Sequence, residues 1–176
     1  MPIPDKTLTL DAVNAMDEAA FVAAFGDIAE HSPFVATAAF TRRPFADHAS
    51  LLAAFHAAID EAGLEAQRRL LCAHPDLAGR ARIADLAAQS QAEQKGVGLD
   101  RLTAEEFAAF TGLNEAYRAR HAIPFIRAVK GSTKDDILAA FRERLPKAPE
   151  AEFATALGEV KRIVRFRLED HVRSSS

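Results

Sequence analysis

Apolar residues recur at helical spacing along this chain, and no stretch alternates apolar with polar residues for long enough to form a strand. Alanine, leucine, glutamate and arginine dominate the composition, and all four favour helices. The sequence therefore predicts an all-α protein, a single-domain multi-helix bundle. Helices are expected over residues 9–15, 17–29, 34–41, 47–61, 63–73, 83–95, 103–120, 133–145 and 150–171.

Local signals mark where several of these helices begin and end. Residues 103–106 (Thr-Ala-Glu-Glu) match a capping box, which predicts a helix start. Gly96 and Gly98 suit a left-handed helix stop. Pro124 interrupts the helical pattern, so residues 123–126 are expected to form an irregular connection that packs inward.

The length of 176 residues is sufficient for one domain, and no linker rich in proline, glycine or serine divides it. We therefore expect one domain over residues 1–176, with about residues 1–8 and 172–176 frayed.

Charge and targeting signals limit the partners of the chain. The net charge is −3, and acidic and basic residues are interspersed, so neither nucleic acid nor an anionic membrane is expected as a partner. The first residues lack a signal-peptide pattern, no apolar run reaches the roughly 20 residues that span a bilayer, and the chain ends without a peroxisomal address. A single cysteine excludes an internal disulfide. These features favour a cytoplasmic protein that binds a small molecule or another protein.

His74 stands out because it precedes Pro75. The proline ring disfavours the α conformation for residue 74, so His74 is expected at the boundary of a helix and not inside one. Functional side chains often lie at such boundaries. A structural alternative is a histidine that only caps a helix or fills the core.

Two further polar residues are predicted to point toward the protein interior. Projected at 100° per residue, Glu93 shares one helix face with Ile83, Leu86, Ser90, Gln94 and Val97. Burying an unpaired carboxylate costs several kcal/mol, so Glu93 requires a partner, a ligand or a raised pKa. The alternative is that Ser90 and Glu93 form a capping box.

Arg167 lies on the apolar stripe of the last helix, with Phe153, Leu157, Val160, Val164 and His171. A guanidinium on a packing face usually holds a carboxylate, from the protein or from a ligand. A structural salt bridge between Glu93 and Arg167 is therefore one alternative.

Cys72 admits two interpretations. It could be a nucleophile activated by His74, as in a small hydrolase, but its apolar neighbours favour an inert buried thiol. Metal-binding spacings such as Glu-x-x-His do not occur, and His56 with Asp60 is expected to face solvent, so no metal site is predicted. A non-catalytic helical interaction module also remains possible on these patterns.

Several sequence blocks together resemble the 2-oxo-4-hydroxy-4-carboxy-5-ureidoimidazoline (OHCU) decarboxylase family, over nearly the whole chain. Their order and spacing make the resemblance specific. They are Ser32-Pro33-Phe34-Val35-Ala36, Arg43-Pro44-Phe45, His74-Pro75-Asp76-Leu77-Ala78-Gly79, Ser90-Gln91-Ala92-Glu93-Gln94 with Gly98-Leu99, Leu113-Asn114 with Tyr117, Pro124-Phe125-Ile126, and Gly158-Glu159-Val160 through Arg167-Leu168.

The resemblance implies the helical fold of that family, a homodimer, no metal or organic cofactor, and decarboxylation of OHCU to (S)-allantoin, the last step of urate oxidation in purine catabolism. It implies that His74 and Glu93 are the catalytic pair. The substrate-binding residues that it implies are Pro75, Ser90, Gln91, Gln94, Phe125, Ile126, Arg127, Ala128, Val129 and Arg167.

The chain departs from the family pattern at three places. Phe34 stands where the family often has tryptophan, and Ala122-Ile123 stands where it usually has Gly-Phe before Pro-Phe. The stretch between Gly79 and Ser90 is slightly shorter than in relatives.

Overall fold

The computed structural model describes residues 7–78 and 88–173, and these residues are mainly helical. None of the described helices is long and apolar enough to cross a membrane. The helices are α1 (Leu10–Ala15), α2 (Glu18–Phe25), α3 (Pro33–Phe40), α4 (His48–Asp60), α5 (Leu64–Ala73), α6 (Ala88–Gly96), α7 (Ala104–His121), α8 (Lys134–Arg144) and α9 (Pro149–His171).

The observed helices confirm the predicted all-α fold, with one clear difference in length. Helix α2 ends at Phe25, whereas the sequence predicts a helix to residue 29. The chain turns immediately afterwards, and His31 adopts a φ of 45° that no right-handed helix can contain. For α6, the predicted start at residue 83 lies outside the described residues.

Capping side chains account for several helix starts. The box predicted at Thr103 is present: its hydroxyl accepts from the amide of Glu106, and the Glu106 carboxylate accepts from the amide of Thr103. Asp47 with Ser50 caps α4 in the same reciprocal way, and Thr133 caps α8. Each box satisfies backbone N–H groups that the first turn leaves without helical partners.

The described chain forms two compact units. Unit 1 contains residues up to Gln67 together with those from Lys161 onward, and unit 2 contains Arg68–Val160. In unit 1, the Phe21 ring lies 4.8 Å from Phe25 and 6.1 Å from Phe55. Unit 2 has its own aromatic cluster, described below. The single-domain organisation stays a prediction.

Hydrogen bonds join the first and last described segments of unit 1. The amide of Leu8 donates to the carbonyl of His171 at 2.8 Å, and the amide of Arg173 donates to the carbonyl of Leu8 at 2.8 Å. Val172 is buried. The expectation of fraying is therefore wrong for Leu8, Val172 and Arg173, because these backbone groups pair with one another.

In unit 2, residues 123–129 form a non-helical and mostly buried segment, which confirms the predicted inward-packing connection. It follows Ala122, the C-cap of α7, whose φ of 56° is left-handed. The family that the sequence resembles usually has glycine at this position, the residue that adopts such a φ without steric cost. We refer to residues 123–129 as the connecting segment.

Candidate active site

His74 directly follows the end of α5 and is 5% exposed. Its Nδ1 atom lies 2.9 Å from the carbonyl oxygen of Leu70. A carbonyl oxygen only accepts, so Nδ1 carries a hydrogen, and Nε2 is the basic nitrogen of the neutral ring. The capping alternative considered for His74 is thus present in the structure, and the same hydrogen bond fixes the tautomer of the ring.

The loop that follows His74 is held by side chains from two other helices of unit 2. Asn114 of α7 donates from Nδ2 to the carbonyl of Leu77 at 2.8 Å. Gln94 of α6 accepts the amide of Ala78 on its Oε1 atom at 3.2 Å. Both amide side chains are buried. These contacts bring α6, the helix that carries Glu93, against the loop of His74.

A surface ion pair adds to this support. The Nε atom of Arg118 lies 2.9 Å from Oδ1 of Asp76, with the Asp76 side chain about one quarter exposed at 27%. Such partly exposed pairs contribute little stability, typically below about 1 kcal/mol. The ion pair of Asp76 with Arg118 therefore contributes only a small part of the energy that holds this loop in place.

Helix α6 presents Ser90 and Gln94 to the interior, whereas Glu93 and Gln91 are half-buried. The predicted inward face is thus confirmed for Ser90 and Gln94 and only in part for Glu93. The capping-box alternative is wrong, because α6 begins at Ala88 and Ser90 lies inside it. Ile83 and Leu86, assigned to the same face, lie outside the described residues.

The connecting segment provides the remaining predicted contacts of unit 2. Phe125, Ile126, Ala128 and Val129 are buried, and Arg127 is half-buried. The Phe125 ring stacks on Phe141 of α8, with ring centres 3.7 Å apart. It also meets the Tyr117 ring edge-on at 5.3 Å. Because Tyr117 and Asn114 share one face of α7, that helix contacts both the His74 loop and the connecting segment.

A buried polar cluster lies behind the connecting segment. Arg144 is 6% exposed and Glu152 is fully buried. The Nε atom of Arg144 donates to Oε2 of Glu152 at 2.9 Å, and Tyr117 donates its hydroxyl to the same oxygen at 2.5 Å. Burial, and then the hydrogen bond to Glu152, raise the pKa of Tyr117 well above its ordinary value. We call these three residues the Arg144 cluster.

Sequence reasoning missed the Arg144 cluster, although a signal was present. Arg144 follows Ile137 and Phe141 at helical spacing, so the projection that placed Arg167 inside would also have placed Arg144 inside. A contact of Glu159 was also not predicted. Its Oε2 atom accepts the amide of Ala128 at 2.8 Å.

Arg167 belongs to unit 1 and is 3% exposed, which confirms the inward orientation predicted for it. Its Nη1 atom donates to the carbonyl of Ile28 at 3.2 Å, and both Nη atoms lie 3.3 Å from Oε2 of Glu30. Glu30 is 1% exposed. A carboxylate of the protein is therefore one partner of this guanidinium.

Two predicted environments are wrong. Cys72 is exposed, although its apolar neighbours predicted a buried thiol, because its side of α5 is the one that points to solvent. His56 is half-buried and donates toward the Lys161 carbonyl at 3.1 Å, although it was expected to face solvent. Burial is the main reason that the pKa of His56 lies below its ordinary value.

Within residues 7–78 and 88–173, no three metal-binding side chains gather at one point.

Comparison with known proteins gives a consistent result. Residues 14–169 match the family model described as OHCU decarboxylase. A protein of Haloferax volcanii named 2-oxo-4-hydroxy-4-carboxy-5-ureidoimidazoline decarboxylase is 43% identical over 95% of this chain and 98% of its own length.

Solved structures agree with the sequence match. A crystal structure of (S)-allantoin synthase is similar with a TM-score of 0.74 and 30% identity, over 94% of this chain and 54% of the other. A structure of OHCU decarboxylase in the presence of (S)-allantoin shares the fold, with a TM-score of 0.65 and 16% identity over 87% of this chain and 96% of the other. The chain belongs to the OHCU decarboxylase family.

Proposed function

We propose that this protein decarboxylates OHCU to (S)-allantoin, the last step of urate oxidation in purine catabolism. The observation that carries the proposal is the buried His74, whose Nδ1–H is committed to the Leu70 carbonyl, in a chain of this family. A neutral imidazole with one fixed N–H leaves a single defined nitrogen, Nε2, for proton transfer near neutral pH.

The substrate itself favours this assignment. OHCU carries a carboxylate and a hydroxyl on one ring carbon beside a C=N bond, so the electron pair released with CO₂ has a sink inside the molecule. The chemistry therefore requires no added electron sink, and the enzyme must orient the substrate and manage protons. Loss of CO₂ moves the electron pair toward the C=N bond and leaves an enol, in which the hydroxyl carbon is doubly bonded to the ureido-bearing carbon. Protonation of the ureido-bearing carbon from one side, while the hydroxyl loses its proton and becomes a carbonyl, gives a single enantiomer of allantoin.

We assign His74 as the general acid/base that contacts the hydroxyl and carboxylate of the reacting carbon. Glu93, one residue from Gln94 on α6, is assigned to accept an N–H of the substrate or to orient the imidazole. The contact between Gln94 and Ala78 supports this pairing, since it holds α6 against the loop of His74.

Substrate binding is assigned to the polar groups of the same unit. With Oε1 of Gln94 occupied by the Ala78 amide, its Nε2 is the end of the side chain that can donate to a substrate oxygen. Ser90 and Gln91 on α6, Pro75, and the backbone from Phe125 to Val129 complete the proposed contacts. Arg167, which belongs to unit 1, is retained from the resemblance as a group for an anionic edge of the substrate; in the structure its guanidinium binds the Glu30 carboxylate.

The resemblance extends the proposal to a homodimer in the cytoplasm. Light scattering on the purified protein would determine its mass in solution and so test the dimer.

The decisive experiment generates OHCU in situ from urate with the two upstream enzymes and then adds this protein. We expect the near-ultraviolet absorbance of OHCU to decay faster than without enzyme, and optical activity to appear as one enantiomer of allantoin forms. His74→Ala and Glu93→Gln should each lower kcat by about 100-fold or more, the typical contribution of acid–base groups. Racemic product at the uncatalysed rate would contradict the proposal.

A matched control separates this chemistry from a hydrolase that uses Cys72. Cys72→Ala should leave the decarboxylation rate unchanged, because the exposed thiol has no role in the proposed reaction. Wild-type turnover in both His74→Ala and Glu93→Gln, with the fold intact, would remove these residues from the mechanism.

A further inference from the structure

The connecting segment buries backbone peptide groups outside any helix, and side chains provide their hydrogen-bond partners. Ile126 and Ala128 are 3% and 4% exposed and lie outside any helix, so their peptide groups cannot pair by helical hydrogen bonds. Arg144 donates from Nη1 to the carbonyl of Ile126 at 2.7 Å. Glu159 accepts the amide of Ala128 at 2.8 Å. These two contacts lie on either side of Arg127 in the chain.

The two contacts also determine where the backbone of Arg127 points. The peptide bonds here are trans, and in a trans peptide the C=O and N–H groups point in opposite directions. Since the Ile126 carbonyl is directed at Arg144, the Arg127 N–H points away from Arg144. Since the Ala128 N–H is directed at Glu159, the Arg127 carbonyl points away from Glu159.

Within the part of the chain that the structure describes, neither of these Arg127 backbone groups makes a hydrogen bond. One residue therefore offers a donor and an acceptor, both fixed in direction by their neighbours. A ureido group has the complementary arrangement, an acceptor oxygen beside N–H donors. Donor–acceptor pairs of this kind provide orientation at low cost in conformational entropy when the protein holds them rigidly.

We propose that Arg144 and Glu159 are positioning residues, which fix the peptide groups on both sides of Arg127 and so direct its N–H and C=O at the ureido group of the substrate. This inference rests on the proposed function. It assigns to both side chains a role in substrate binding that acts through the backbone and involves no contact with the reacting carbon.

The surroundings of Arg144 are consistent with this role. Its Nε donates to Glu152, its Nη2 lies 2.9 Å from the same carboxylate oxygen, and its guanidinium lies 4.4 Å from the centre of the Phe125 ring. The planar group is thus held along one edge and against one face, an arrangement that directs Nη1 toward Ile126. Lysine lacks this planar fork and could not reproduce the arrangement.

Glu159 provides the cleaner test, with a conservative variant as its control. Glu159→Leu removes the acceptor for the Ala128 amide, whereas Glu159→Gln keeps an oxygen that can accept it. We expect Glu159→Leu to raise the KM for OHCU and the Kd for allantoin by about tenfold, with kcat within about twofold of wild type. Glu159→Gln should behave like wild type. A purely structural role for Glu159 would not separate KM from kcat in this way.

Arg144 requires a double variant, because Arg144→Met alone would leave the buried Glu152 carboxylate without its cation and endanger the fold. In the combination Arg144→Met with Glu152→Leu, both charges are removed together. We expect the same rise in KM and in allantoin Kd. Arg142→Met serves as the control, since Arg142 is exposed on the same helix. It should leave both constants unchanged.

An amide-resolved measurement separates failure of this inference from failure of the proposed function. The ¹⁵N–¹H signal of Arg127 should shift on titration with allantoin in the wild type, and hydrogen exchange at Ala128 should accelerate in Glu159→Leu. If the wild type decarboxylates OHCU but Glu159→Leu keeps its KM, the positioning role is wrong. If the wild type does not decarboxylate OHCU, the proposed function is wrong.

Discussion

At the scale of single residues, Ala122 shows how one backbone angle affects stability. Its φ of 56° is a conformation that costs an L residue about 1–2 kcal/mol and that glycine adopts freely. The cost is tolerated because the Ala122 amide still donates to the Arg118 carbonyl at 2.9 Å and so ends α7.

Ala122→Gly is therefore expected to raise the free energy of unfolding by up to about 1 kcal/mol, the strain removed less the entropy that glycine adds to the unfolded chain. Urea denaturation would measure it. Ala116→Gly, at an exposed position inside the same helix, should lower the free energy by about 1 kcal/mol. Equal effects at both positions would contradict the role assigned to φ.

His56 gives unit 1 a dependence on pH. Burial is the main cause of its lowered pKa, and the charges of Lys161 and Arg165 lower it further, while the hydrogen bond to the Lys161 carbonyl and the Asp60 charge oppose the shift. Below the ordinary value of 6.5, the unfolded chain therefore binds a proton that the folded protein does not. The contribution of neutral His56 to the free energy of unfolding is therefore fully present above pH 6.5 and is lost as the pH decreases toward the pKa of His56 in the folded protein.

We expect His56→Gln to weaken this dependence. Between about pH 7.5 and about pH 5, wild type should lose more free energy of unfolding than His56→Gln does, as measured by denaturation at both values. His31→Asn is the control, since His31 is exposed and asparagine tolerates its left-handed backbone. An identical loss in wild type and His56→Gln would show that His56 does not couple folding to protonation.

Hydrophobic periodicity predicted the burial of a polar residue only where the position of that residue on one helix face determines its burial. It placed Arg167 correctly, because α9 is long and its stripe is regular. The burial expected for Cys72 from its apolar neighbours and the exposure expected for His56 were both wrong, because the orientation of those side chains depends on how α5 and α4 pack, which their local sequences do not encode. The direction of the Gln94 amide likewise depends on a loop 16 residues earlier.

At the scale of elements, α7 connects the two polar regions of unit 2. Asn114 holds the Leu77 carbonyl, and Tyr117, one turn later, packs against Phe125 and binds Glu152. A shift of this helix would therefore displace the His74 loop and the connecting segment together.

Asn114→Leu should lower the free energy of unfolding by about 1–3 kcal/mol, because it leaves the buried Leu77 carbonyl without its donor. Decarboxylation should slow as well, since the loop continues from His74. Chemical denaturation and kinetics would measure the two effects. Glu115→Leu, exposed on the same helix, should change stability by less than about 0.5 kcal/mol. Normal stability in Asn114→Leu would exclude this hydrogen bond as a support of the loop.

Helix boundaries were predictable wherever a cap residue marks them, as at Thr103. The end of α2 was missed, although its C-cap is Gly26, a residue that disfavours a helix interior, and the chain turns again at His31.

At the scale of the whole molecule, the composition predicted the fold class, and the sequence blocks shared with the OHCU decarboxylase family predicted the architecture. The division into two compact units was not predictable, because no linker in the sequence marks it. Each unit has its own aromatic core, and each also buries an arginine–glutamate pair. These pairs are Arg167 with Glu30 in unit 1 and Arg144 with Glu152 in unit 2.

Removing one partner of the buried ion pair in unit 1 should strongly lower the free energy of unfolding. Glu30→Ala removes this carboxylate from the buried Arg167 guanidinium, and is expected to lower the free energy of unfolding by about 3–5 kcal/mol. As a control, Glu169→Ala breaks the exposed ion pair between Glu169 and Arg165, which both lie on α9 with Arg167. It should lower the free energy of unfolding by less than about 1 kcal/mol. Thermal or urea unfolding would compare them. Similar losses in both variants would show that burial does not govern this ion pair.

Cys72 has a practical consequence beyond the reaction. It is the only cysteine of the chain, it is exposed, and it lies two residues before His74. Its Sγ atom is 3.9 Å from the carbonyl of Ala122, directly before the connecting segment. A maleimide dye would therefore attach at one defined position, without any engineered thiol, next to both parts of unit 2 that are proposed to hold the ligand. The native protein thus carries a built-in attachment point for a fluorescent reporter of substrate binding.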